Sequence, residues 1–385
     1  MGGPAAALAN RQQCDMKPRT PVLDRPAVQV AGAVARDDLD RWVKARKQLG
    51  RDDPDGLHDF RVALRRLRST LRAFRAELKS RVPRRTRRRL RRLARAAGAS
   101  RNLQVGREWL LTQLDTLKPS EQTAAQWLIA RATARQADAD KNLARRVAKD
   151  FPRLKRKLRR SLRGPEASPA GSQPSKRGSV ALRDAVRRWT KELERGLQAT
   201  RTAADWEDAH AARIWAKRIR YLLRSFKREL PRVRAAIQQL AALQDVLGSL
   251  QDARVLAGEL RAAFVEAAGE QAQRACDLLM PWAPVVEPTA GPSPPADQAG
   301  LVALAGRIGN EYEATFARFH REWLEEGAAS LLFQLHQIGS GRRQLLRRAR
   351  GGPGSRRTRR RPGVPVAVRP IRRMAAGKVA TRAAK

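Results

Sequence analysis

Between residues 31 and 338, apolar positions recur every three or four residues along most of the chain. This period corresponds to one face of an α-helix, and the strict alternation that marks strands is missing. Ala, Leu, Arg, Gln and Glu dominate, and all of them favour helices, whereas β-branched and aromatic residues are sparse. The pattern predicts an all-α protein, with about four helices before Gly164 and about four after Ser179, joined by short loops as in antiparallel helical bundles.

Interruptions of the helical pattern divide the chain into regions. Two internal stretches are rich in Pro, Gly and Ser, and the final stretch is rich in Arg and contains no acidic residue. A block of like charge without apolar periodicity is expected to be disordered. The predicted regions are a flexible leader (1–30), a first helical bundle (31–163), a linker (164–179), a second helical bundle (180–338) that contains a Pro-rich insertion (281–300), and a disordered Arg-rich tail (339–385).

The two predicted bundles repeat one another in sequence. The pattern RDxxxRWxK occurs at residues 36–44 and again at residues 183–191. A second pattern runs from His58 to Phe74 and again from His210 to Phe226, and in both copies a cation and then Glu-Leu follow the Phe. Two motifs in the same order are hard to obtain by chance, so the chain is predicted to be a duplicated helical unit.

Both copies of the second pattern place a row of cations beside a row of apolar residues on the same helix. The apolar rows, predicted to be buried, are Phe60, Leu64, Leu67, Leu71, Phe74 and Leu78, and Ala212, Ala216, Ile219, Leu223, Phe226 and Leu230. The basic rows are His58, Arg61, Arg65, Arg68, Arg72 and Arg75, with Arg66 beside them, and His210, Arg213, Lys217, Arg220, Arg224 and Lys227, with Arg218 beside them. All of these cations except Arg75 are candidate ligand-binding residues.

The length of the basic rows indicates a polymeric ligand. At about 1.5 Å rise per residue, His58 to Arg72 spans roughly 21 Å, so only an extended anion could contact every cation. Like charges at these spacings destabilise a helix by about 0.2–0.5 kcal/mol per pair. The rows are therefore expected to serve binding rather than folding. The alternative is that they are solvated faces whose aliphatic stems cover the edge of the core.

Overall charge points to an anionic partner without identifying it. The 385 residues include 81 Lys and Arg against 37 Asp and Glu, a formal net charge of +44. Arginine outnumbers lysine, and its planar guanidinium group can donate two parallel hydrogen bonds to phosphate oxygens. A further run places Arg84, Arg88, Arg91 and Arg95 on one helical face, whereas the segment after Pro231 is much less basic. Nucleic acid, an anionic membrane surface or a polymeric phosphate could each supply the counter-charge.

Motifs for catalysis or metal binding are missing from the sequence. There is no GxxxxGK[ST] phosphate loop and no HExxH, so no enzyme activity is expected. His58 and His210 lack Cys or carboxylate partners at ligand spacing, so neither a metal site nor a cofactor is expected. With only Cys14 and Cys276, and no apolar run of about 18 residues, the sequence predicts a cytoplasmic protein without a disulfide or a membrane span.

The paired motifs resemble the CHAD family, the conserved-histidine α-helical domain, over about residues 30–335. Membership would imply two four-helix bundles related by a pseudo-two-fold axis, with a basic groove between them that binds inorganic polyphosphate. It would also imply association with polyphosphate granules and no catalysis by the domain. The family usually has an RDxDV-like segment in the first repeat; here residues 101–105 read RNLQV, which is more cationic. The resemblance rests on His58-x-x-Arg61-x-x-x-Arg65-Arg66-x-Arg68, on His210-x-x-Arg213-x-x-x-Lys217-Arg218-x-Arg220-Tyr221, and on LQDVLGSLQDA at residues 243–253.

Two other interpretations stay open at this point. The main alternative is an architectural DNA- or RNA-binding protein that acts through phosphate contacts, with the tail arginines in a minor groove. Aromatic residues make up only 5% of the chain, which leaves few stacking platforms for single strands, and no base-readout motif is apparent. The other is a helical scaffold that recruits acidic proteins. We therefore expect polyphosphate to be the partner of the bundles and non-specific nucleic acid to be a candidate partner of the tail, whereas the sequence sets no oligomeric state.

Overall fold

The computed structural model describes residues 22–49, 55–163, 176–280, 282 and 298–340, which are almost entirely helical. The all-α prediction is therefore confirmed. None of the helices in this part of the chain is long and apolar enough to cross a membrane. The helices are α1 (Ala27–Gln48), α2 (Gly56–Ala73), α3 (Arg84–Gln113), α4 (Pro119–Leu162), α5 (Gly178–Ala199), α6 (Trp206–Ser225), α7 (Val233–Leu279), α8 (Ala299–Phe319) and α9 (Ala328–Ser340), with a π-helical segment (His320–Gly327) between α8 and α9.

The apolar rows of α2 and α6 are buried along their whole length, as predicted. Both helices end before their rows do, α2 at Ala73 and α6 at Ser225. The chain then continues in hydrogen-bonded turns, in which the backbone N–H of Leu78 donates to Phe74 at 3.0 Å and that of Leu230 donates to Phe226 at 2.9 Å. The same ending thus occurs in both copies of the repeat.

The helices of each half pack around one another, and the halves meet through like helices. In the first half α1 and α3 both contact α2 and α4; in the second half α6 contacts α5 and α7, α7 also contacts α8, and α5 also contacts α9. Between the halves, the extensive contacts join α1 to α5, α2 to α6, α3 to α7 and α4 to α8. Pairing of like with like is expected when two repeats are related by a two-fold axis. The detailed geometry of two four-helix bundles stays a prediction.

Two hydrophobic clusters hold the helices together. The larger cluster takes residues from both halves, so the halves share one continuous core. The smaller cluster, which includes Leu110, Leu128, Leu260 and Leu304, joins the far ends of α3, α4 and α7 to α8. It is needed because α4 and α7, with 44 and 47 residues, extend beyond the main core. The long helices therefore fix the two halves at two separate places.

The prediction of a flexible leader over residues 1–30 is wrong for its last residues, which are helical. Val22–Asp24 form a 3-10 helix and α1 begins at Ala27. Leu23, Ala27 and Val30 are buried, because Ala27 and Val30 extend the apolar face of α1 toward the N-terminus. Residues 1–21, including Cys14, lie outside the described residues.

The end of the predicted linker also belongs to the fold. The N–H of Ala27 donates to the carbonyl of Lys176 at 2.7 Å, and the N–H of Gly178 donates to the carbonyl of Arg25 at 2.8 Å. A Cβ at residue 178 would lie 2.5 Å from Cγ2 of Val30, so glycine permits this close approach of α5 to α1. Similarly, Gly339 and Ser340 belong to α9 and not to the tail. Most of the linker (164–175), most of the insertion (281 and 283–297) and the rest of the tail (341–385) lie outside the described residues.

Candidate anion-binding site

The basic rows of α2 and α6 meet in a central cluster of four half-buried cations: Arg61, Arg65, Arg213 and Lys217. Burial, followed by the positive charge of Arg65, lowers the pKa of Arg61 to about 10, and the charge of Arg213 adds to the effect. Burial is likewise the main cause of the lowered pKa of Arg213, and Arg65 contributes. Since Arg61 and Arg213 are equivalent in the two copies, as are Arg65 and Lys217, the cluster joins matching segments of the two rows.

Lys217 is the most strongly perturbed cation of the central cluster. Burial, followed by the charges of Arg213 and Arg65, lowers its pKa to about 6. Removing an ammonium from water and surrounding it with like charges both disfavour the protonated form. Asp252 of α7 acts in the opposite direction on Lys217, and also on Arg61 and Arg213. An anion bound at the cluster would act in the same sense as Asp252 and raise the pKa of Lys217.

A first triad of arginines, Arg68 and Arg72 of α2 with Arg218 of α6, adjoins the central cluster. Burial, followed by the charges of Arg72 and Arg68, lowers the pKa of Arg218 to about 10. The pKa of Arg68 also falls to about 10, through burial and then through Arg72 and Arg91. Arg91 and Arg95 belong to α3, so cations from three helices gather here.

A second triad, Arg220 and Arg224 of α6 with Arg66 of α2, repeats this arrangement. Burial, followed by the charges of Arg220 and Arg66, lowers the pKa of Arg224. The three residues are the counterparts, in the other copy of the repeat, of the members of the first triad. Each triad therefore combines two cations of one half with one cation of the other half. The cation from the other half is Arg218 in the first triad and Arg66 in the second triad.

Arg65 and Arg220 connect the two triads to the central cluster. The charge of Arg65 acts on Arg68, and that of Arg220 acts on Lys217. Tyr221 lies between them: Nη1 of Arg65 is 3.5 Å from its Oη, and the guanidinium carbon of Arg220 is 5.4 Å from its ring centre. Burial raises the pKa of Tyr221, but the charges of Arg65 and Arg220 outweigh this and the pKa is lowered. The first triad, central cluster and second triad thus form one continuous surface, which we call the cationic track.

The described residues supply no ion-pair partner to any member of the cationic track. Thirteen ion pairs occur among the residues that the structure describes, and none involves a member of the track. In the same part of the chain, the buried Nε atoms of Arg66, Arg213 and Arg220 have no hydrogen-bond partner. Most buried polar groups do have one, and a buried charge without a partner is costly. The track is therefore equipped to bind anions.

The two histidines are not equivalent in the structure. His210 is half-buried, its Nδ1 contacts Oε1 of Gln251 on α7, and burial lowers its pKa. The residue of α3 that corresponds to Gln251 is Arg101, so His58 has no such amide and stays exposed. Lys227 is exposed beyond the end of α6. The assignment of His58, His210 and Lys227 as ligand-binding residues stays a prediction.

Sequence reasoning did not select Asp252 or Arg101, although both act on Arg61. Asp252 lies within the segment LQDVLGSLQDA, which was the signal that could have identified it. Within the described ranges, no group of three or more His, Cys, Asp or Glu residues is placed to hold a metal ion.

Fold and site together define an all-helical protein whose repeated halves join along an arginine-rich surface. The chain belongs to the CHAD domain family, whose model matches residues 33–261, more than half of its length, so the predicted family is confirmed. That segment contains the whole cationic track.

Two solved structures are similar to the chain. One is the crystal structure of the CHAD domain from the plant Ricinus communis, with 20% identity, a TM-score of 0.50, and coverage of 82% of this chain and 93% of that chain. The other is PptA from Streptomyces chartreusis, with 18% identity, a TM-score of 0.56, and coverage of 77% of this chain and 99% of that chain. At these identities the similarity concerns the fold alone. No curated protein sequence matches the chain.

Proposed function

We propose that this protein binds inorganic polyphosphate along the cationic track and does not catalyse a reaction on it. One observation carries the proposal: cations of both halves converge, partly buried, without an ion-pair partner among the described residues. A fold gains nothing from gathering like charges in this way, because desolvation and repulsion both oppose it. Binding of a polyanion offsets both effects. We further propose that the protein acts in the cytoplasm and gathers at polyphosphate granules, which supply this ligand.

The shape of the cationic track favours a thin, flexible polymer. Its members follow one another from the first triad through the central cluster to the second triad, so a small phosphate would contact only a few of them. Arg61, Arg213 and Lys217 are also half-buried between helices. A duplex carries its phosphates on the outside of a wide cylinder and would contact the exposed members, Arg72 and Arg224, more readily than these recessed ones. Polyphosphate has a charge at every unit and no bulky side group, so it can contact the exposed members and the recessed members of the track.

The proposal is tested by titrating the protein with long-chain polyphosphate, tripolyphosphate, ATP and duplex DNA at near-physiological salt. We expect long-chain polyphosphate to bind far more tightly than the two small anions and to displace the duplex. Log affinity should fall steeply with log salt, since cations that bind the polymer release its counterions. Equal affinity for tripolyphosphate and the long chain would contradict a polymer site, and preference for the duplex would favour the nucleic-acid alternative.

A quadruple variant assigns the binding to the central cluster. Arg61→Gln, Arg65→Gln, Arg213→Gln and Lys217→Gln together should abolish tight binding and make the salt dependence shallower by about 3, at about 0.7 per phosphate contact. The matched control removes the same number of basic side chains from exposed positions of α4, whose neighbours are α1, α3 and α8. Equal losses in the two variants would show that net charge, and not the track, determines binding. The control substitutions are Arg145→Gln, Arg153→Gln, Arg156→Gln and Lys157→Gln.

A further inference from the structure

The two ends of the cationic track differ, although the triads that form them are equivalent. Leu90 and Leu93 of α3 correspond to Leu240 and Leu243 of α7, so the helices can be compared position by position. In this alignment Arg91 of α3 corresponds to Ala241 of α7, and Arg95 of α3 corresponds to Asp245 of α7. The repeat has therefore kept the triads in both halves but has placed extra cations in only one of them.

The extra cations of α3 act on the first triad. The positive charge of Arg91 contributes to the lowered pKa of Arg68, Arg72 and Arg218, and Arg95 contributes to that of Arg68. Arg91 and Arg95 are exposed and take part in none of the ion pairs found in the described residues. Together with the first triad they give a cationic surface that continues from α2 onto α3.

The second triad has no such continuation on α7. The positive charges that lower the pKa of Arg224 come from Arg220 and Arg66, and none comes from α7. A phosphate polymer that passed from the second triad onto α7 would find no cation at Ala241 or Asp245, the positions that correspond to Arg91 and Arg95 of α3.

We propose that a polyphosphate chain longer than the cationic track leaves it over the first half of α3, at Arg91 and Arg95, and not over α7. This inference rests on the proposed function, because it concerns the path of the same ligand. The two ends of the track then differ in function: a long polymer continues beyond the first triad over α3, whereas it ends at the second triad. Chains short enough to lie within the track do not use α3.

A pair of charge-matched variants tests the path. The α3 variant carries Arg91→Gln and Arg95→Gln, and the α7 variant carries Arg232→Gln and Arg234→Gln, exposed cations where α7 begins. We expect the α3 variant to bind long-chain polyphosphate about fivefold more weakly, as for the loss of two exposed charge contacts, with a salt dependence shallower by about 1.4. Tripolyphosphate binding should not change, and the α7 variant should match the unmodified protein for both ligands.

The outcomes separate this inference from the proposed function. If the unmodified protein does not bind long-chain polyphosphate, the proposed function itself fails. If it binds and the two variants weaken the long chain equally, the polymer has no preferred exit and the path over α3 is wrong. If the α3 variant weakens tripolyphosphate as much as the long chain, Arg91 and Arg95 belong to the primary site, which also overturns the inference.

Discussion

Phe74 and Phe226, which occupy the same position in the two copies of the repeat, contact each other with their ring centres 6.3 Å apart and their planes at 63°. Both rings are almost fully buried, and each directly follows the last residue of α2 or α6. A contact between a residue and its own counterpart agrees with a two-fold axis between the copies, which stays a prediction. The contact therefore holds α2 against α6, and with them the cations that form the track.

We predict that the two phenylalanines are energetically coupled. Phe74→Ala and Phe226→Ala should each lower the free energy of unfolding by about 3–5 kcal/mol, as truncation of a buried aromatic ring does. Because both changes break one contact, the double variant should lose less than the sum, by about 0.5–1.5 kcal/mol. Urea denaturation followed by circular dichroism measures all three. As a control, the losses of unfolding free energy caused by Phe60→Ala and Phe226→Ala should add, because the ring of Phe60 contacts Trp42 instead. If the losses caused by Phe74→Ala and Phe226→Ala also add, the two halves are not joined at this contact.

The fold could be predicted from the sequence wherever one apolar face repeats at helical spacing. Leu64 and Leu67 in the first copy, and Ile219 and Leu223 in the second, are buried as the spacing indicated. The boundaries were less accurate, because an apolar row does not show where backbone hydrogen bonding changes: the helix ends at Ala73 while the row continues. The pairing of like helices across the halves depends on tertiary packing, which periodicity within one helix does not encode.

The arrangement of the candidate cations could not be predicted from the sequence. The sequence selected Arg66 and Arg218 as residues beside the rows, yet only the structure shows that each joins the triad of the other half. It treated His58 and His210 as equivalent, whereas His210 is half-buried against Gln251 of α7 and His58 is exposed. These features depend on contacts between helices, so no pattern along a single helix could reveal them.

Lys217 should lower the stability of the free protein, and the effect should depend on pH. Its pKa is about 6 in the fold, against about 10.4 for an unperturbed lysine. Between these values the unfolded chain binds one more proton than the folded chain, so the free energy of unfolding rises with pH. Lys217→Met removes the penalty, and at neutral pH we expect the variant to be more stable by about 1 kcal/mol. The difference should shrink as pH approaches 10, which denaturation at several pH values measures.

A control for Lys217→Met is Lys227→Met, which removes an exposed lysine from the end of the same basic row. It should change stability by less than about 0.5 kcal/mol at every pH, as expected for a surface substitution. Equal stabilisation by the two substitutions would mean that net charge, and not the buried position of Lys217, is responsible.

Binding of polyphosphate should be coupled to proton uptake. The charged groups that act on Lys217 are Arg65 of α2, Arg213 and Arg220 of α6, and Asp252 of α7. At pH 8 this surrounding leaves Lys217 neutral in the free protein, and a bound polyanion raises its pKa and draws in a proton. Affinity should therefore increase as pH falls from about 9 toward about 6. Titration calorimetry in buffers with different ionisation enthalpies measures the number of protons taken up.

Lys217→Arg separates this proton uptake from the charge itself. Arginine is the residue that the first copy has at the equivalent position, Arg65, and it stays protonated over this pH range. The variant should keep tight binding, lose the proton uptake, and show a flatter dependence of affinity on pH. Unchanged uptake in the variant would assign the proton to another group, such as His210.

Removal of residues 341–385 should separate two kinds of anion binding. The truncation deletes many arginines but leaves α1 to α9 and every member of the cationic track in place. Cations held at fixed spacing on packed helices have little conformational freedom to lose on binding, whereas an Arg-rich segment without apolar periodicity offers attraction with little geometric selectivity. The truncated protein should therefore lose much of any affinity for duplex DNA and keep most of its affinity for long-chain polyphosphate. Paired titrations of full-length and truncated protein with both polymers at matched salt test this. Loss of polyphosphate binding with DNA binding retained would place the polyphosphate site in the tail and contradict its assignment to α2 and α6.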